Sequence, residues 1–287
     1  MKNYIKILLL LLILPFIAVA QEIDSIKVKE KLERAAFESA SIIDNPTNVL
    51  FNKNSLEVQM AHRFGTINGG TNDLVGFWAP SNIRIGLSYA IHERVTIGYG
   101  TTKFDRLQDF NWKVALIRQT RSSKIPVSVT YYGNFTIDAR KKDAKHNGVS
   151  RFGHLADRWS NFHQLIIAKR FNSKFSAQIA PSVSHYNVVD NTMRNDMVGI
   201  AFGGRYKISS QTAILADYSQ PITKFMLDNP HPGISLGIEF ATSAHAFQLF
   251  ATNYNGLVSQ KNYMFNNNDF FNGDILIGFN ITRIYNF

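Results

Sequence analysis

Three features of this 287-residue sequence predict an all-β chain closed into a transmembrane antiparallel up-and-down β-barrel of about twelve strands. Apolar–polar alternation recurs in segment after segment from Ser55 onward. The connections between those segments alternate short and long. The last stretch ends the chain on Phe287, with Tyr285, Ile281, Phe279, Ile277 and Ile275 on the same parity. Successive strand side chains point to opposite faces, so each segment has one apolar and one polar face. A soluble sandwich also buries one face, but it needs neither the alternation of connection lengths nor an aromatic end.

The first residues read as a cleaved secretory signal peptide, 1–20. Lys2 and Lys6 form a positive start, an apolar run follows, and Ala18-Val19-Ala20 is a small-x-small cleavage site. The apolar run is too short for a membrane helix, which needs about twenty residues. The sequence has no cysteine, which excludes disulfides, thiolate metal sites and a lipid anchor on a processed cysteine. Without the two lysines of the signal peptide the formal charge falls from +10 to +8. A basic secreted chain is not expected to meet nucleic acid; lipid phosphates and acidic glycans are the anionic partners available to it.

Residues 21–54 read as a periplasmic N-terminal segment, with two roles open to it: a tail, or a plug that folds into the mouth of the barrel. Residues 28–36 suit a short polar helix, 37–44 a short strand or extended stretch, and Asn45-Pro46-Thr47-Asn48 a turn.

The barrel is expected over 55–287. Alternating runs begin at Leu56, Ile83, Val95, Trp112, Val127, Phe175, Val198, Ile214, Ile234, Phe247 and Ile275. Residues 161–171 are apolar with poor alternation, and Pro181 interrupts the run that starts at Phe175. Short connections are expected near 92–94, 120–124, 172–173, 209–210 and 243–244. Long ones are expected near 65–81, 103–109, 139–159, 188–194, 220–232 and 254–272. An even strand number returns both chain ends to the periplasmic side. Tyr89, Tyr99, Trp112, Tyr131, Phe175, Tyr206, Tyr218 and Tyr285 fall toward segment ends on the apolar parity, where interfacial aromatic girdles belong.

The closing strand resembles the C-terminal assembly signal of bacterial outer-membrane barrels, with Phe279, Ile281, Tyr285 and Phe287 as its residues. That resemblance implies the barrel assembly machinery, outer-membrane lipid and lipopolysaccharide as partners. Arg283 on the apolar parity, and Leu276 and Ile284 on the polar one, depart from the pattern. Over FESASIID (37–44), HRFGTI (62–67), APSNIRIGLSY (79–89), LQDFNWK (107–113), FGGRYKIS (202–209), ATSAHAFQLF (241–250) and GDILIGFNITRIYNF (273–287), the chain resembles the outer-membrane β-barrel family of Bacteroidota catalogued as domain of unknown function 5777. The resemblance covers nearly all of the mature chain. It implies a location in the outer membrane and a barrel architecture, and it assigns no activity to any residue.

The inward parity offers Glu57, Arg63, Arg84, Lys113, Asp138, Arg205, Lys207, Asp217 and Glu239. Such charges either pair to fill a small barrel or line a polar path for a solute. Gly86, Gly98, Gly199, Gly203, Gly237 and Gly278 leave room beside them. Ser184-His185 and Ser243-Ala244-His245 are neighbours in sequence only, without a nucleophile motif, so no enzyme is expected. The histidines lack metal-ligand spacing and the oxygen-rich run 266–274 lacks the order of a calcium loop, so neither metal nor cofactor is expected. Arg140, Lys141, Lys142, Lys145, Arg151 and Arg158 form a basic outer loop suited to lipopolysaccharide phosphates. Two function classes remain: a passive channel or transporter for small polar solutes, and a structural or interaction protein. An open lumen favours the first, and a filled lumen the second.

Overall fold

The computed structural model describes residues 30–141, 145–146, 149–150 and 152–287. The signal peptide expected over residues 1–20 lies outside the described residues, as do Lys142 and Arg151 of the basic loop. Twelve strands form a closed barrel. They are β1 (Ser55–Thr66), β2 (Asn82–His92), β3 (Val95–Thr102), β4 (Leu107–Ile117), β5 (Ser128–Asp138) and β6 (Trp159–Arg170), followed by β7 (Phe175–Tyr186), β8 (Asp196–Lys207), β9 (Thr212–Pro221), β10 (Gly233–Ala241), β11 (His245–Thr252) and β12 (Leu276–Asn286). Each pairs antiparallel with its neighbours in sequence, and β12 pairs with β1 to close the ring. Closure matters because an unpaired backbone group facing lipid costs several kcal/mol. No helix among the described residues is long and apolar enough to cross a membrane; the strands make the crossing.

The alternation sorts as expected. Ile85, Leu87, Ile97, Phe202, Ile214, Leu236, Phe240 and Leu249 stand exposed on the outside, and the opposite parity is buried in the lumen. Arg283 does stand outside, at the short-turn end, and lies over the Tyr285 ring with 4.7 Å to the centroid. The ring gives its charge an aromatic partner at that end of the barrel.

Three local expectations need correction or narrowing. Pro181 interrupts the pairing on one side of its strand only: β7 runs on to Tyr186, with Pro181 opposite Ile200. The cost falls on the other neighbour, because the β6–β7 ladder lapses between Gln164–Ser182 and Ile167–Ile179, where proline has no N–H to give. The connection predicted over 103–109 shrinks to 103–106, since β4 already starts at Leu107. A single tight turn with Asp105 and Arg106 at positive φ (57° and 48°) suffices there. The connection 118–127, predicted short, is the longest at its end of the barrel. It is occupied: Leu32 bridges to Thr120, and Glu33 donates its N–H to the Gln119 carbonyl at 2.8 Å.

That bridge marks where the N-terminal segment enters. From Leu32 it runs up inside the barrel, turns at Ile43–Asp44 between the paired residues Ser41–Ile42 and Asn45–Pro46, and returns to β1. No helix forms over the described part of 28–36, and the turn predicted at 45–48 sits two residues earlier. The reason is tertiary. The backbone N–H groups of Asp44 and Asn45 both donate to Asp217 of the wall, which fixes the turn there.

Candidate functional site

The lumen is filled from both ends. From the short-turn end comes the plug just described, with Phe37, Ile42, Ile43, Val49 and Phe51 all buried. From the long-loop end the connection 253–275 folds inward and carries helix α1 (Ser259–Phe265). Gln260 of α1 donates to Asn134 and Thr136 at 2.9 and 2.8 Å. Tyr263 reaches Asn45 of the plug at 3.4 Å, so the two insertions meet inside the barrel.

The lumen has two unlike walls. On β6 to β9, Ile166, Ala168, Ala180, Ala201 and Leu215 point inward and pack against the apolar side of the plug. Nearer the long-loop end, Phe162 and Met197 receive Tyr263 and Met264 of α1. This explains the poor alternation over 161–171: β6 is apolar inside as well as outside, because its inner face meets protein. Ile284 and Leu276 follow the same logic. Ile284 packs against the plug cluster and Leu276 is buried on the inward parity. The inward glycines are also used up. A Cβ on Gly199 would sit 2.4 Å from the Tyr263 ring, and one on Gly203 would sit 3.2 Å from Ile42. At these two the room is taken by the insertions, whereas at Gly86, Gly98, Gly237 and Gly278 it is taken by wall residues such as Arg84, Asn111 and Phe250.

On β1 to β5 the wall is charged and meets the plug through polar contacts such as Arg63–Asp44 and Lys113–Ala40. A polar cavity of about 100 Å³ remains there, lined among others by Glu57, Arg63, Arg84, Asp109 and Lys113 of the wall and Asp44 of the plug. Arg84 is held in a two-pronged pair with Asp109 at 2.7 and 2.8 Å, and donates to Gln59 at 2.9 Å. A second cavity of about 350 Å³ opens at the long-loop end, lined by Asn82, Lys103, Asp105 and Lys261. Leu257 belongs to the linings of both cavities. A third, about 60 Å³, lies between the plug and β4–β5 near Glu33, Arg34 and Arg118. The unfilled space therefore runs along one side of the lumen.

Seven of the nine predicted inward residues are buried or nearly so in the lumen, but they divide between two jobs. Glu57, Arg63, Arg84 and Lys113 line the central cavity. Arg205, Asp217 and Glu239 hold the plug instead. Arg205 pairs with Glu239 at 2.8 Å, and Glu239 accepts from Ser39 at 2.9 Å. Asp217 accepts from Asn45 Nδ2 at 2.8 Å as well as from the two backbone groups. Arg63 and Lys113 also touch the plug: Arg63 pairs with Asp44 at 2.8 Å, and Lys113 donates to the Ala40 carbonyl at 2.6 Å. Asp138 leaves the list. It stands at the mouth, paired with Arg140 at 2.5 Å. Lys207 lies at the short-turn end of β8 and is half-buried.

Sequence reasoning missed Asp109, which it placed in a loop, and the neutral inward amides. Gln178, Gln248 and Asn280 donate to the plug carbonyls of Pro46, Ser41 and Ile43 at 2.9, 3.0 and 2.9 Å. Their signal was present as amides on the inward parity beside stray inward apolar residues. The Ser184–His185 neighbours are split by the strand itself, with Ser184 buried inside and His185 outside against Asp196 at 2.7 Å. Of the basic loop, Arg140 is spent on Asp138 and Asp105, and Arg158 on the carbonyls of Asp138 and Arg140. The hydrogen bonds that the Arg140 guanidinium donates to Asp138 hold it above its ordinary pKa range. Among the described residues no group of His, Cys, Asp and Glu is placed to hold a metal ion.

A family described as a membrane-bound β-barrel domain, domain of unknown function 5777, matches residues 37–285. The match thus includes the plug from Phe37 onward. No curated protein matches the chain. Among solved structures, the NanC porin is similar at 6% identity and a TM-score of 0.50, over 81% of this chain and 99% of that one. An outer-membrane channel from Pseudomonas putida F1 gives 11% identity and a TM-score of 0.47, over 83% and 97%. The KdgM porin gives 6% and 0.45, over 81% and 99%. At such identities the likeness to the NanC porin concerns the fold.

Proposed function

The chain belongs to the family of membrane-bound β-barrel domains, and from that premise we propose that it is an outer-membrane channel for small polar solutes, held shut by its own N-terminal segment. One observation carries this reading: the unfilled space lies along the charged β1–β5 wall, while the apolar side of the plug packs against the opposite wall. A barrel filled only for stability has no need of a hydrated, charged strip. Withdrawal of the plug toward the short-turn end widens that strip into a path, with Arg84 and Asp109 on its side.

The filled lumen also favours a second reading, a structural barrel that never opens. Planar-bilayer recording separates the two. The full mature chain is expected to be nearly silent, and the same chain lacking 21–54 to conduct in discrete steps. A folded, heat-modifiable deletion variant that stays silent would leave the structural reading standing.

A further inference from the structure

We propose that the wall pocket filled by Asp44 is a recognition site for a small solute carrying both a carboxylate and an N–H donor, and that the plug tip occupies it in the solute's place. The inference deepens the channel reading by naming the class of solute.

The anion half of the pocket is built from three strands. Arg63 of β1 donates to Asp44 Oδ1 at 2.8 Å, and Ser235 of β10 and Thr252 of β11 donate to Oδ2 at 2.6 and 3.0 Å. Arg63 is itself fixed by Asn280 at 3.1 Å and lies over the Phe250 ring, 4.4 Å to the centroid. The other half, which accepts N–H donors, is Asp217 of β9. Its Oδ2 accepts the backbone N–H of Asp44 and of Asn45, each at 3.0 Å, and its Oδ1 accepts Asn45 Nδ2 at 2.8 Å.

These two wall charges differ from their neighbours. Arg205 and Glu239 are paired within the wall, as are Arg84 and Asp109. The ion pair of Arg63 lies on the plug, and Asp217 has no ion pair among the described residues. When the tip leaves, the wall keeps a guanidinium with two hydroxyls beside a carboxylate, already oriented by the strands. That set matches a small amino-carboxylate, and preorganisation of this kind lowers the cost of binding. The tip itself is a forced fit. Ile43, a β-branched residue, sits at φ 54°, a conformation such residues rarely adopt, and contacts with the wall must hold it there. A solute that offers the same groups without that strain competes on favourable terms.

The native chain has no cysteine, so one thiol reports on the plug. Val49→Cys places it in a buried position of the segment. The full mature variant is reconstituted in liposomes, and its labelling by a charged thiol reagent is timed with L-aspartate, L-asparaginamide or succinate present. Aspartate is expected to speed labelling about tenfold, while asparaginamide, which has no carboxylate, and succinate, which has no N–H donor, leave it near baseline. Asp44→Asn in the same background is expected to label about tenfold faster with no solute, because the charged anchor is gone. Equal effects of aspartate and asparaginamide would overturn the proposal, and so would an Asp44→Asn plug as protected as its parent. The readout is independent of ion flow. A deletion variant that conducts while labelling ignores aspartate would remove the site and leave the channel. Aspartate-dependent labelling in a barrel that never conducts would do the reverse.

Discussion

The β6–β9 wall and the β1–β5 wall share one strand alternation, yet their inner faces differ in kind. The first carries Phe162, Ile166, Ala180, Ala201 and Leu215 inward and meets other protein. The second carries Glu57, Arg84, Asp109 and Lys113 inward and meets a cavity. Both are apolar outside, because lipid is the common neighbour there. The difference teaches that in a small barrel the inward parity reports what occupies the lumen, strand by strand. A lumen occupied by water throughout would be polar all round, and one filled throughout by a plug would need no cavity.

The comparison is broken or sharpened most strongly by removing one partner from an ion pair on each side. Arg205 and Glu239 are almost wholly buried beside the plug. Glu239→Ala leaves the buried guanidinium with only the Glu38 carboxylate at 3.9 Å and is expected to cost about 3 kcal/mol. Arg84 is a little more open and faces the central cavity of about 100 Å³. A cavity of that size and polarity admits water, so Asp109→Ala is expected to cost less, about 1–3 kcal/mol. Urea unfolding of the folded mature chain in detergent micelles gives both values. Equal costs would mean that the two walls are equally dry.

A smaller effect is expected from adding one methyl group. A Cβ on Gly199 meets the Tyr263 ring at 2.4 Å, whereas on Gly204, which faces outward on the same strand, it meets nothing within 4 Å. Gly199→Ala therefore must displace α1 or strain it, at about 1–3 kcal/mol. Gly204→Ala is the control and should be neutral or slightly stabilising. Limited proteolysis in 253–275 reads the displacement directly. If both variants resist cleavage as the parent does, α1 is not seated against β8.

How much of this was legible in the sequence follows from which neighbour each residue answers to. Lipid imposes one rule on every strand, so eleven of the twelve segments, the closing strand among them, and the outward aromatics could be read from alternation alone. The plug obeys no periodicity. Its turn at Ile43–Asp44 is set by Asp217, far away in the chain, and local turn preferences pointed to residues 45–48 instead. The inward charges were found by parity, but parity cannot tell Arg84, on the cavity, from Arg205, against the plug. The departures held the missing information. Ile284, Leu276 and the apolar interior of residues 161–171 each mark a place where the lumen is occupied.

The smallest effect on stability is expected at Glu57, and the reason is again the wall it stands on. Its side chain is buried on β1 and lines the central cavity with Arg84 and Lys113. Lys113 gives its proton donors to the plug carbonyls of Ala40 and Val49, at 2.6 and 3.4 Å, and Arg84 gives its own to Asp109 and Gln59. Glu57 is thus a charge among cations whose hydrogen bonds are made elsewhere. Glu57→Gln keeps its shape and leaves those bonds intact, so unfolding should shift by less than about 1 kcal/mol. The substitution matters once the path is open. In the chain lacking 21–54 it removes a negative charge from the strip while Arg84 and Lys113 remain, and the reversal potential under a salt gradient should move toward anion selectivity. The expected outcome is therefore a split: little change in the closed barrel and a clear change in the open one. A large loss of stability would place Glu57 in the packed wall, and an unmoved reversal potential would take the β1–β5 strip out of the path.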